Sequence, residues 1–479
     1  DYTGLTTVSA GVLNLQHATA SGTIAGGISV TSGAALELQG GIAVGAEALT
    51  LNGTGISSGG ALRNISGTNS YAGAITLGAA SRINSDLNTL TLTGGITGTG
   101  FALTVGGVGD TTISTSGLNT STAGTLTKDG SGKLTLTAAG DYTGLTTVSA
   151  GVLNLQHATA SGTIAGGISV TSGAALELQG GIAVGAEALT LNGTGISSGG
   201  ALRNISGTNS YAGAITLGAA SRINSDLNTL TLTGGITGTG FALTVGGVGD
   251  TTISTSGLNT STAGTLTKDG SGKLILSASG DYTGLTTVSA GVLNLQHATA
   301  SGTIAGGISV TSGAALELQG GIAVGAEALT LNGTGISSGG ALRNISGTNS
   351  YAGAITLGAA SRINSDLNTL TLTGGITGLG LALTVGGSGD TTISTSGLNT
   401  STAGTLTKDG TGTLTISASG DYTGATTVSA GVLNIQHATA TGTTAGGVSV
   451  TSGAALQLQG GITVGAEALT LNGAGIASD

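Results

Sequence analysis

Residues 1–140 are followed by two near-copies of themselves and then by the opening of a fourth. Asp1-Tyr2-Thr3-Gly4 returns as Asp141-Tyr142-Thr143-Gly144, as Asp281-Tyr282-Thr283-Gly284 and as Asp421-Tyr422-Thr423-Gly424. The first two copies differ only at Thr135/Ile275, Thr137/Ser277 and Ala139/Ser279. Identical segments must each bury their apolar surface in the same way, either as separate beads or by stacking on the next copy. No linker-like stretch marks the junctions. The expected organisation is therefore one continuous array with repeat units 1–140, 141–280 and 281–420 and a partial unit 421–479. An enzyme needs one site, whereas length needs many copies.

Inside a unit the local period is two. Thr89-Leu90-Thr91-Leu92-Thr93 alternates strictly, as do Leu13-Asn14-Leu15, Leu36-Glu37-Leu38, Leu49-Thr50-Leu51 and Leu134-Thr135-Leu136. Such alternation places Leu on one face and Thr on the other, the pattern of a half-buried strand. Glycine pairs such as Gly26-Gly27, Gly40-Gly41 and Gly94-Gly95 separate the runs and suit tight corners. No helical period or capping signal is present. Strand centres at Ile28, Leu49, Ile75, Leu90, Ile113, Leu134 and Leu153 suggest about seven coils per unit, each near 20 residues, the size of a β-solenoid turn. The expected fold is an all-β parallel solenoid. At about 4.8 Å per coil, one unit would rise roughly 34 Å. A β-sandwich also uses short alternating strands, but it would need linkers at the junctions.

Composition agrees. Gly is 95 of 479 residues with no Pro and no Gly-X-Y period, which excludes collagen. Hydrophobic residues at 38% and a mean hydropathy of +0.38 are too apolar for a disordered chain. The apolar residues are small or branched, with aromatics at 2% and no Met or Trp, an alphabet for thin layers. No run approaches the roughly 18 apolar residues of a membrane helix, so no membrane insertion is expected. A net charge of −10 argues against nucleic acid and anionic membrane partners. There is no Cys to form a disulfide. Because the chain starts and stops within a repeat, it reads as a stretch of a longer protein.

The ionisable groups of one unit are few: Asp1, His17, Glu37, Glu47, Arg63, Arg82, Asp86, Asp110, Lys128, Asp129 and Lys133. Arg82 and Asp86 are four apart and Lys128 and Asp129 adjacent, which reads as surface ion pairs or solvated corners rather than a general acid and base. His17 has no second metal-ligating neighbour in sequence and reads as an exposed corner. Gly106-Gly107-Val108-Gly109-Asp110 approaches a calcium-binding nonapeptide, yet it occurs once per unit and reads as a turn. The Thr pairs 89/91/93, 125/127 and 135/137 could form outward hydroxyl rows like those of ice-binding solenoids, although coil lengths vary; outward Thr is also simply a favourable strand residue. Tyr2 and Tyr71 could stack on sugars or pack at corners. Between units Phe101 and Phe241 become Leu381, and Lys133 and Lys273 become Thr413, so apolar positions stay apolar while polar ones drift. No catalytic, cofactor-binding or metal-ligating residue is assigned, and no cofactor is expected.

One stretch carries a recognisable pattern. Leu126, Lys128, Gly130, Gly132, Leu134 and Leu136 are followed by Tyr142, Gly144, Thr146, Val148, Gly151 and Leu153. This spacing resembles the passenger-associated repeat of bacterial autotransporters, at 124–153, 264–293 and 404–433 with a truncated copy at 1–13. The Asn that the pattern places before its Tyr is absent; Gly140 lies two residues before Tyr142. The resemblance implies a right-handed parallel β-helix exported to the surface of a diderm bacterium. The resulting expectation is a structural, extracellular segment of a longer repetitive protein: a stalk, adhesin shaft or matrix fibre. Its candidate partners are other copies of itself in a filament or bundle, and a surface or glycan ligand. A repeated ligand-binding module is the alternative, and an enzyme the third reading.

Overall fold

The computed structural model describes residues 2–121 and 123–476. The chain divides into two compact units, Asp1–Thr237 and Gly238–Asp479, each an all-β parallel solenoid. Helix is confined, among the described residues, to three single turns at Ile56–Ser58, Ile196–Ser198 and Ile336–Ser338. No helix among them is long and apolar enough to cross a membrane.

In the first unit each turn supplies strands to three faces. On the first face Thr6–Val8 pairs in parallel with Ile28–Val30, which pairs with Leu49–Gly53. The ladder continues through Ile75 and Ile96 to Leu118. On the second face Val12–Leu15 pairs with Ala35–Gln39 and then Leu62–Ser66, and on the third Ala43–Val44 pairs with Asn69–Tyr71 and then Thr89–Leu92. The strand Ile75–Ser85 turns the corner between two faces, pairing with Leu49–Gly53 at its start and Leu62–Ser66 at its end.

The period-two reading holds. Leu90 and Leu92 are fully buried, while Thr89, Thr91 and Thr93 stay half-exposed. Ile, Leu and Val stack in register from turn to turn: Leu92 on Ile113, and Ile113 on Leu136. Each turn thus covers the apolar face that the previous turn cannot cover alone.

The register adds something that strand counting missed. The second copy of Thr6–Val8 is Thr146–Val148, and it does not sit on the first face. It pairs with Leu126–Lys128, which pairs with Leu103–Gly107, on the second face. Likewise Val152–Leu155, the copy of Val12–Leu15, has moved from the second face to the third, against Lys133–Leu136. In the second unit Val292–Leu295 and Thr426–Val428 show the same offset. The first pairs with Ala315–Gln319, and the second lies further along the same ladder. One 140-residue repeat therefore makes about six and one-third turns of a three-sided solenoid. The expected seven or so coils came from a series that changes face. Ile28, Leu49 and Ile75 lie on the first face, whereas Leu90, Ile113, Leu134 and Leu153 lie on the third.

Candidate functional site

The charged and polar residues of each repeat are engaged between turns. Lys128 is only 2% exposed. Its Nζ donates to the carbonyl oxygens of Asp129 (2.5 Å), Gly130 (2.8 Å) and, on the next turn, Ala150 (3.3 Å). The expected solvated corner is therefore a buried ammonium closing a glycine corner. Burial pulls Lys128 down to about 8, and the neighbouring Asp129 opposes that fall, so the group is still charged at neutral pH. Gly151 faces it. A Cβ there would lie 2.9 Å from Nζ and 2.4 Å from the Gly130 carbonyl oxygen, and its φ of +66° is one that side chains resist. Tyr142 is fully buried, its hydroxyl 2.7 Å from Thr146 Oγ1, which in turn donates to the Ser161 carbonyl at 3.2 Å. Tyr71 is also fully buried, so neither packs on an external sugar; Tyr2 is half-exposed, its hydroxyl 3.0 Å from Thr6 Oγ1.

The ion pairs differ from the sequence neighbours. Arg82 pairs with Asp129, not Asp86, at 2.7 and 2.8 Å across two turns. Gly106 on the intervening turn makes room, since a Cβ there would meet Asp129 Oδ1 at 2.0 Å. Asp86 accepts from Arg63, which also binds Glu37. On the third face Lys133 binds Glu177 at 3.0 Å and Arg203 binds the same carboxylate at 3.2 Å. Where Lys133 has become Thr413, Glu177 has become Gln457, so both members of that pair changed together. The polar drift between repeats is thus partly paired substitution.

His17 is exposed, and its Nδ1 accepts from the Thr19 amide at 3.3 Å. Asp110 Oδ1 accepts the Lys133 amide of the next turn at 2.8 Å, which makes it a backbone cap. Asp1 lies outside the described residues. Sequence reasoning missed two buried clusters. In one, Asn64 Nδ2 donates to Ser85 Oγ (3.0 Å) and the Leu87 carbonyl (2.8 Å), while Asn69 donates to Asn64. In the other, Glu187 accepts from Ser161 Oγ at 2.6 Å and lies 3% exposed near Tyr211. The only sequence signal for either was their unchanged return in each complete copy.

The surface carries ordered rows of hydroxyls. In the first unit outward hydroxyls run in register along the second face from Thr104 through Thr127, Thr147, Ser169, Thr190 and Thr216 to Thr237. The corresponding rungs of the preceding copy, Thr7, Ser29, Thr50, Thr76 and Thr97, lie on the first face. The Thr91–Thr112–Thr135 row on the third face gives way to Ser70 at one end and Asn154 then Glu177 at the other.

The passenger-associated-transport-repeat family matches residues 1–15, 126–155, 266–295 and 406–435. No curated protein and no solved structure matches the chain. The matched segments hold Lys128, whose ammonium reaches the next turn, the Tyr142–Thr146 pair, and Gly151, which makes room for that ammonium. The chain matches the passenger-associated transport repeat at four positions, the first of them partial, on a parallel β-solenoid, an arrangement consistent with an autotransporter passenger.

Proposed function

We propose that this chain is a structural segment of a bacterial surface protein, an extracellular stalk, adhesin shaft or filament whose length is set by repeat number. One observation carries the reading. The residues with chemical potential, Lys128, Arg82, Asp129 and Arg63 among them, are used in bonds between turns. Turn-to-turn hydrogen bonding and stacked aliphatic layers give stiffness, and each further copy adds length without a new site. The passenger repeat supports export to the cell surface. Side-by-side association of copies and a surface ligand at a distal tip fit the same role.

The test is excision of residues 141–280 from the native protein, followed by imaging of surface filaments. A folded, displayed filament shortened by one increment is the expected result. Loss of a specific ligand affinity or of a catalytic rate while the fold survives would defeat the spacer reading.

A second reading is a repeated ligand-binding module. The hydroxyl ladder from Thr104 to Thr237 favours it, because its rungs are spaced by the turn rise and stand on a flat face. Thr127→Val and Thr147→Val together would keep the strand and remove two rungs. A surface-adhesion assay unmoved by that change counts against the ladder as a binding face.

A further inference from the structure

The corner where one passenger repeat hands on to the rest of its unit contains a surface recess of about 350 Å³. Asp141, Thr159, Gly162, Thr163, Gly185 and Glu187 line it. Glu187 is 3% exposed, and only one of its oxygens is bonded: Oε2 accepts from Ser161 Oγ at 2.6 Å. Oε1 is buried without a partner, and so are the hydroxyls of Thr163 and Tyr211. An ionised buried carboxylate with one unbonded oxygen is costly unless a cation or further donors meet it.

No hydrogen bond reaches Oε1. Tyr211 and Tyr142 are neutral phenols, each pushed upward first by burial, with the Glu187 charge adding to the rise. Asp141 at the rim is another acid; its Oδ1 accepts the Ser121 amide. His157, in the turn that lines the recess, is exposed, and its Nδ1 accepts from the Thr159 amide at 3.3 Å. Lys133 and Arg203 pair with Glu177 and Asp226, not with Glu187.

The arrangement recurs. Glu327 accepts from Ser301 at 2.5 Å, with Oε1, Thr303 and Tyr351 left unpaired, and Glu47 accepts from Ser21 at 2.5 Å, with Tyr71 unpaired. In the fourth copy Ser has become Thr441, yet the hydroxyl still donates to Glu467 at 2.7 Å.

We propose that this recess is a proton-binding site, at Glu187 and at its copy Glu327, whose occupancy locks the surrounding turns and whose emptying loosens them. A proton on Oε1 removes the uncompensated charge and turns an acceptor lacking a donor into a hydroxyl among neutral hydroxyls. The recess gives it a route from solvent. Burial raises Glu187 and Glu327 to about 7, with the Ser hydroxyls opposing. The folded value thus exceeds the unfolded one. The contribution to stability is full below the ordinary carboxyl range and is lost as pH rises through about 7.

The experiment uses the whole chain and a variant carrying Glu187→Gln, Glu327→Gln and Glu467→Gln. Infrared spectra of the folded native chain at pH 6 should contain the carbonyl stretch of protonated carboxyls, which fades by pH 8 and is missing from the variant. The urea midpoint of the native chain should fall over the same interval, and that fall should vanish in the variant. Carboxyls fully ionised at pH 6 would overturn the proposal, as would an unchanged acid-side dependence in the variant. The infrared measurement on the native chain decides the question even if the variant does not fold.

Discussion

At the scale of single residues, the passenger motif is a set of fasteners. Lys128 shows how. Its ammonium serves three carbonyl oxygens, one of them on the next turn. Lys128→Met keeps the stem's bulk but leaves these acceptors without their donor. Each buried group left unsatisfied costs about 1–3 kcal/mol, so urea unfolding should shift by at least that much. Tyr142→Phe removes one hydroxyl bonded to Thr146 and should cost less, about 1 kcal/mol. The motif spacing made these positions legible in sequence, but not their roles. A lysine beside Asp129 and Gly130 reads as a corner because burial depends on Ala150 and Gly151 of the following turn, Ala150 lying 22 residues away. Lys128 and Glu187 also oppose each other in pH. Lys128 is lowered, so its contribution is largest above the ordinary lysine range and is lost as pH falls through about 8. The Glu187 contribution is lost as pH rises through about 7. These two groups together place a minimum of stability between those values, measurable as the lowest urea midpoint in a series from pH 5 to 10.

At the scale of strands, alternation was sufficient to place Leu90 and Leu92 inward and Thr89, Thr91 and Thr93 outward. Leu92→Asp would bury a charge against Tyr71 and Ile113, its ladder neighbours, costing several kcal/mol and opening the adjacent turns. Thr91→Ser should leave the unfolding midpoint almost unchanged. Equal tolerance at the two sites, read by thermal unfolding, would contradict the pairing. Alternation could not say which face a strand belongs to. Leu-x-Leu on the first face and Leu-x-Leu on the third obey the same rule, and the step from Ile75 to Leu90 looks like one short coil. Only the pairing of Leu90 with Asn69 and of Ile75 with Leu49 separates them. Cross-turn cysteines test the register directly. Thr127→Cys with Thr147→Cys puts two outward residues on paired strands, a separation close to the usual Cα distance of a disulfide, about 5 Å. That pair should oxidise readily, whereas Thr125→Cys with Thr147→Cys, out of register by two residues, should not.

At the scale of the molecule, the third of a turn left over in each repeat becomes the property that copying transmits. In the first unit the second copy returns its chemistry on the next face, as Thr6–Val8 and Thr146–Val148 do. A flat partner that recognised the hydroxyl ladder on one side would therefore lose it at the next copy. This favours mechanical use of the repeat over a single continuous binding plane. Length is transmitted with the same regularity. Six and one-third turns at about 4.8 Å give a rise of roughly 30 Å per repeat. Excising residues 141–280 joins Gly140 to Asp281, and the residues after that junction match those after Gly140 in the intact chain until Leu379 stands where Thr239 would have been. Thr287 should then take the seat that Thr147 holds, paired in register with Thr127 on the second face. Spin labels at residues 7 and 147 of the intact chain and at residues 7 and 287 of the shortened chain should give the same distance distribution, near 30 Å by that rise. The calorimetric unfolding enthalpy should fall by about 100 kcal/mol, the share of 140 residues in a linear array. Unequal label distances would mean that the excised repeat had set the register of its neighbours, and a repeat with that influence could not serve as an interchangeable increment of length.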